Sequence, residues 1–162
     1  YTIRNIAKTY LKTIDKWCIK NGVKISALKI KTVLFTNPRK KYKYIPIELN
    51  NTKMALSNEV KYLGVILDNH LRWAPHINKK CQIATKLLMT CKKYVGKKWG
   101  LTPDKVKWIY HQVILPTLSY ACFLWIHKTN KNKYLLRMLE KTQKMATLQI
   151  TGGVRHNANN HT

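Results

Sequence analysis

Ile77, Cys81, Ala84, Leu88, Cys91 and Val95 follow one another at steps of four, three, four, three and four residues. No strand has that period, so the segment is predicted as a helix with a narrow apolar seam that must face other helices. Two later segments supply partners. One starts after Thr102, with Pro103 at the first helical position and Asp104 near the positive helix end, and turns Val106, Ile109, Tyr110 and Val113 inward. Pro116 should kink or break it, and the nearly uniform apolar run from Leu118 to Ile126 is predicted as the buried centre of a bundle. The other runs from about Lys131 to Ile150, with Leu135, Met138, Leu139, Thr142, Met145, Ala146 and Gln149 on its inner side, and stops at Gly152-Gly153.

The first part of the chain follows different periods. Ile3, Ala7, Tyr10, Leu11, Ile14, Trp17 and Cys18 mark one face of an amphipathic helix that Asn21-Gly22 ends. After it come short runs of period two: Val23 and Ile25, Val33 and Phe35, Tyr44 to Leu49, and Val60 to Leu67, with turn chemistry at Asn37-Pro38, Asn50-Asn51 and Ser57-Asn58. These predict a small antiparallel sheet of three or four strands with one helix across it. In the last run Tyr62, Leu63, Val65, Ile66 and Leu67 are predicted as one buried strand, with a turn at Asp68-Asn69-His70 before the next helix. The fold class is therefore α+β, with a sheet and helix over residues 1–69, an all-α bundle over 70–153 and a frayed tail over 154–162.

Charge narrows the function. Lysine and arginine number 31 against 6 aspartates and glutamates, a net charge of +25 spread over the whole length. A fold this basic repels itself unless it meets a polyanion, of which nucleic acid is the commonest. Part of the lysine and asparagine excess reflects an AT-rich coding sequence. Cys18, Cys81, Cys91 and Cys122 are far apart, with no CxxC pair, so they are predicted as reduced thiols in an intracellular compartment. No run of apolar residues is long enough for a membrane span. No P-loop, GxSxG or HExxH occurs, and no two carboxylates are close in sequence. His70, His76 and Cys81 share one region, but their spacing does not match the usual metal-ligand pairs, so no metal site is predicted and His76 is assigned to packing at a helix start. Basic clusters with aromatics recur at RKKYKY (Arg39 to Tyr44), KKYVGKKW (Lys92 to Trp99) and KTNKNKY (Lys128 to Tyr134). Lysines at such density neutralise phosphates, and the interleaved rings can stack on a base. Lys92, Lys93, Lys97, Lys98 and Trp99 are accordingly candidate nucleic-acid contacts. Lys24 lies within, and Lys29 just after, a short predicted strand, where the alternative is a hairpin edge guarded by lysine. Tyr1 is not an initiator methionine, so the chain is expected to be a piece of a longer protein.

Four stretches in order resemble the reverse transcriptases of non-LTR (LINE-like) retrotransposons, the jockey-type elements of insects in particular. They are WCIKNGVKISALKIKTVLFT at Trp17 to Thr36, VKYLGVILDNHLRWAPHI at Val60 to Ile77, GKKWGLTPDKVKWIYHQVILPTLSYACFLW at Gly96 to Trp125, and LQITGG at Leu148 to Gly153. The resemblance implies the C-terminal part of the polymerase palm followed by the thumb. It implies that Tyr62, Leu63 and Gly64 belong to the primer-grip hairpin, with Gly64 allowing close backbone approach to the primer, where the alternative is a β-bulge in a core strand. Lys29 matches the family's palm lysine near the incoming triphosphate, a candidate general acid for the leaving pyrophosphate. Primer–template nucleic acid and the upstream palm and fingers of the same polypeptide are the implied partners, with no membrane. The family's metal-binding aspartates match nothing here, so no cofactor is expected on this piece and Mg²⁺ is implied for the full polymerase, whose activity the piece alone would lack. Location in cytoplasm and nucleus, within a retrotransposon ribonucleoprotein, is implied as well. Ile30 stands where the family usually has Ser or Thr, and the tail lacks its Thr-Thr-Pro-like pattern, as in an eroding copy. The alternative function is a non-catalytic nucleic-acid-binding remnant or domesticated protein.

Overall fold

Helix α1 (Thr2–Lys20) stops in a Schellman motif at Asn21-Gly22: the Val23 N–H donates to the Cys18 carbonyl at 2.8 Å and the Gly22 N–H to Ile19 at 3.2 Å. Gly22 holds φ +69°, a left-handed conformation that glycine adopts without penalty. This is a computed structural model; it describes residues 2–26, 29–39, 44, 46–49, 52–95 and 100–151. Two compact units divide the chain, Tyr1–Leu71 and Arg72–Thr162.

The first unit is α1 with two antiparallel pairs, β1 (Glu48–Leu49) with β2 (Thr52–Lys53) and β3 (Glu59–Tyr62) with β4 (Val65–Asp68). This differs from one continuous sheet of three or four strands. Val23 to Ile25 and Val33 to Phe35 carry the strand period but form no ladder among the described residues. Thr32 and Thr36, on either side of the second run, bond instead to the backbone of Ala55, Ser57 and Asn69. A period of two needs a neighbouring strand before it becomes a sheet. The run from Val60 to Leu67 is likewise not one strand, because the chain reverses at Leu63-Gly64 and pairs Tyr62 with Val65, Lys61 with Ile66, Val60 with Leu67 and Glu59 with Asp68. Among the described residues, Leu49, Met54, Val65 and Cys18 are the buried apolar residues of this unit. Most of the apolar face of α1 is open. Ile3, Ile6, Tyr10, Ile14 and Trp17 are exposed, while Ala7, Leu11 and Cys18, on the adjoining side, are partly or fully covered.

The second unit is helical: α2 (Ala74–Lys93), α3 (Pro103–Ile109), a π-helical turn (Tyr110–Ile114), α4 (Leu115–Leu118), α5 (Cys122–Thr129) and α6 (Lys133–Thr151). Together the units give the α+β class. The predicted seam is its core. Ile77, Cys81, Ala84, Leu88 and Cys91 are all buried, and α2 packs them against α6 and α4; Val95, beyond the helix end, is exposed. From α6 come Leu135, Thr142 and Ala146. Thr102 caps α3 by accepting from the Lys105 N–H. Pro116 does not break the helix where it stands. It has no N–H to give and the backbone before it widens into the π turn, so the helix continues to Leu118 and bends by 77° into α5. The wider turn moves the inner face by one residue: Ile114 is buried and Val113 exposed, the reverse of the 3.6-residue expectation.

The run from Leu118 to Ile126 is not the buried centre predicted for it. Leu118 and Trp125 are buried, whereas Tyr120, Leu124 and Ile126 are exposed and Phe123 is 79% exposed. Ser119 to Ala121 turns, with Ala121 at φ +56°, and the eight-residue α5 then offers only one face inward. No single helix among the described residues is long and apolar enough to cross a membrane.

Candidate nucleic-acid interface

Trp73 and His76, in the stretch on which the resemblance leans most, build the bundle rather than a metal site. Trp73 is buried at φ +67° as the N-cap of α2, and its indole meets the His76 ring edge-on at 6.4 Å. The Trp125 ring also lies 6.5 Å from that of His76, and its Nε1–H donates to the Tyr120 carbonyl at 3.1 Å. The Tyr120 ring carries the Lys80 ammonium 4.2 Å above its centre, a cation–π contact. Burial holds the His76 imidazole below its ordinary pKa, a hydrogen bond to the Tyr120 backbone works against that shift, and the Lys80 charge adds to it. His76 is thus a neutral packing residue tying the start of α2 to the α4–α5 turn. Cys81 is buried with its thiol pushed up by burial and hydrogen-bonded to Thr142, and all four cysteines are unbridged. His70, in the other unit, has Nδ1 3.0 Å from the Thr36 carbonyl. The three residues considered as metal ligands therefore have separate tasks. Among the described residues no three His, Cys, Asp or Glu side chains converge, so the donor set for a divalent ion is not found there.

The predicted contacts are distributed over both units. On the first unit Tyr62, Leu63 and Gly64 form the tip of the β3–β4 hairpin. Tyr62 is 64% and Leu63 75% exposed, so these are surface residues and not part of a buried strand. Leu63 at φ +45° and Gly64 at φ +81° are the two central residues of the reversal, the signs a type I′ turn requires. Gly64 is thus a turn residue and not a bulge. Lys29 is exposed, and its backbone N–H donates to the Ser26 carbonyl at 3.1 Å. Lys24 is exposed beside the end of α1, lining a shallow concavity with Asp15, Ile19, Gly22, Val23 and Ile25, and lies in no strand.

On the second unit Lys92 and Lys93 are exposed in the last turn of α2, where cations also favour the negative helix end. Lys97, Lys98 and Trp99 lie outside the described residues, as does RKKYKY apart from Arg39 and Tyr44. A regular array that local charge density does not reveal accompanies them. Lys79, Lys86 and Lys93 are exposed at steps of seven, which places them on one side of α2, opposite the buried seam and roughly 10 Å apart. Lys133, Arg137, Lys141 and Lys144 are exposed on α6 at steps of four, four and three, a denser row that also lies outward from Leu135, Thr142 and Ala146. On α2 lysine at the outer position of each heptad is the signal in the sequence, hidden because these lysines are distant from one another along the chain. At a spacing near the screening length of physiological salt, the cations repel one another weakly yet act together on a polyanion. Asp104 and Glu140 are the only carboxylate side chains of the unit.

Several curated proteins are similar to this chain. The RNA-directed DNA polymerase from mobile element jockey of Drosophila funebris is 27% identical over 139 residues, 85% of this chain and 15% of that protein. The probable RNA-directed DNA polymerase from transposon BS of Drosophila melanogaster is 25% identical over 126 residues, covering 76% and 14%. A Pol polyprotein from a type-1 retrotransposable element R1 of Nasonia vitripennis is 27% identical over 107 residues, covering 66% and 26%. The chain therefore spans about a seventh of the first two relatives. No family model matches it, and no solved structure gives a significant match.

Proposed function

We propose, from the premise that this chain is a fragment of a non-LTR retrotransposon reverse transcriptase, that it is the end of the palm and the thumb of that polymerase and grips primer–template nucleic acid through two surfaces. The observation that carries the reading is the outer face of α2, where Lys79, Lys86 and Lys93 stand in a row opposite the core. A helix needs no cation there for folding, and cations repeating every two turns suit a phosphate backbone. The α6 row adds Lys133, Arg137, Lys141 and Lys144. In the first unit Tyr62, Leu63 and Gly64 face the primer, Lys24 adds a phosphate contact and Lys29 approaches the incoming triphosphate. The open stripe of Ile3, Ile6, Tyr10, Ile14 and Trp17 supports a palm completed by other parts of the same polypeptide, its fingers included. The carboxylates that hold Mg²⁺ belong to those parts as well, and the assembled particle works in cytoplasm and nucleus.

Affinity of the chain for an RNA–DNA hybrid, measured against salt, tests the reading. The logarithm of the binding constant is expected to fall linearly with the logarithm of salt concentration. Changing Lys79, Lys86 and Lys93 together to Gln should make the slope shallower by about 0.9 for each phosphate no longer neutralised. Binding that does not respond to salt, or a slope the triple variant leaves unchanged, would remove the phosphate grip.

A further inference from the structure

The corner between α5 and α6 is built as a rigid, strongly basic knob with an aromatic ring at its edge. Thr129 is fully buried and its hydroxyl donates to the Trp125 carbonyl at 3.0 Å, while the Asn132 N–H donates to the Thr129 carbonyl at 2.8 Å. The Asn132 side-chain oxygen then accepts from the N–H groups of Tyr134 at 3.0 Å and Leu135 at 3.4 Å, closing the start of α6. The backbone here is thus held from both sides. Lys128, Lys131, Lys133 and Arg137 all stand exposed along it, and no carboxylate occurs in sequence between Asp104 and Glu140. Glu140 is six residues beyond Tyr134, about a third of a turn around α6 from it. Tyr134 is 65% exposed although Leu135 beside it is in the core.

A tyrosine kept at the surface among cations, on a backbone that cannot collapse over it, matches a stacking platform. Its largely exposed ring can accept a planar group, and Lys131, in the turn that precedes α6, and Arg137, one helical turn after, are placed to reach the phosphates to either side. A paired base inside a duplex has both faces occupied by its neighbours, so only an unpaired base can use the ring. We infer that the α5–α6 corner binds a single-stranded stretch of nucleic acid, one base stacked on Tyr134 and its flanking phosphates on Lys131, Lys133 and Arg137. The inference rests on the proposed grip on primer–template and adds to it a contact for the unpaired strand that leaves the duplex.

The test compares a blunt RNA–DNA hybrid with the same hybrid bearing a short single-stranded extension, an identical extension lacking bases, and the free single strand. The extension should tighten binding by at least about fivefold, the low end for one stacked base. Tyr134→Ala should abolish that gain without changing affinity for the blunt hybrid, and Tyr134→Trp should keep it. An extension without bases that binds as well as the normal one, or a gain that survives Tyr134→Ala, overturns the inference while the duplex grip stands. If the blunt hybrid does not bind at all, the duplex grip is wrong. The inference is then decided by whether Tyr134→Ala weakens binding of the free strand by the same factor.

Discussion

Leu63 occupies a place its side chain does not suit. A two-residue hairpin loop of type I′ needs positive φ at both central positions, which is why Asn-Gly is the favoured pair, and here the pair is Leu-Gly with φ +45° and +81°. Left-handed backbone costs an L-residue such as leucine about 1–2 kcal/mol. Packing returns little of it, because Leu63 is 75% exposed. Full burial of a leucine is worth about 1.5–3 kcal/mol, so the covered quarter contributes about 0.5 kcal/mol. Changing Leu63 to Asn removes most of the strain, gives up that small burial and leaves the Tyr62–Val65 pair in place. The variant is expected to be more stable by about 0.5–1 kcal/mol. In a unit of this size that raises the unfolding midpoint by about 2–8 °C. Urea and thermal unfolding of parent and variant measure it. A variant of equal or lower stability would show that the leucine is held by contacts its exposure does not reveal, and the strain argument would fail. The functional half runs the other way. Strain at an exposed tip is the kind that functional sites retain, so if the tip meets the primer as proposed, the same substitution in the whole polymerase should slow primer extension. Higher stability with undiminished extension would leave Leu63 a plain imperfection.

The His76 ring is buried and its pKa lies below the ordinary value, chiefly through desolvation, so well above pH 6.5 it is neutral in both folded and unfolded states and its contribution to stability is complete. As pH falls below that value the unfolded chain takes up the proton first, and stability is expected to decline until the folded pKa is passed. His76→Phe should flatten that part of the urea-unfolding profile, and an unchanged slope would place the titration elsewhere. In the whole polymerase, Lys29→Ala should reduce the rate of nucleotide addition more than it weakens hybrid binding, as a proton donor would; equal losses in both would leave Lys29 a phosphate contact only.

The helical unit is largely legible in the sequence because its period and its partners lie in the same chain. Ile77, Cys81, Ala84, Leu88 and Cys91 are placed inward by spacing alone and are inward, and so are Leu135, Thr142 and Ala146. The departures there have one cause each. Val113 and Ile114 exchange places because the π turn ahead of Pro116 changes the residues per turn, which no fixed period anticipates. Phe123 belongs to an apolar run, yet the turn at Ser119 to Ala121 ends the helical phase before it, and composition alone does not register a change of phase. The lysine row of α2 is obscured for the opposite reason: local density singles out KKYVGKKW, while heptad spacing carries the more regular arrangement of Lys79, Lys86 and Lys93.

The first unit misleads in a more informative way. Val23, Ile25, Val33 and Phe35 have strand periodicity without a ladder, and Ile3, Ile6, Tyr10, Ile14 and Trp17 have a helix core face without a core. Both patterns are of the kind that burial against further structure explains, since an apolar stripe five residues long, left in water, gives up several kcal/mol of the free energy that drives folding. The two halves of the chain therefore differ in kind. In the helical unit the apolar seam of α2 is answered by partners within the same unit, whereas around α1 the apolar stripe is left exposed. That asymmetry is in keeping with the proposed reading of the first unit as part of a palm. It ties the energetics of the exposed stripe to the same premise as the lysine rows.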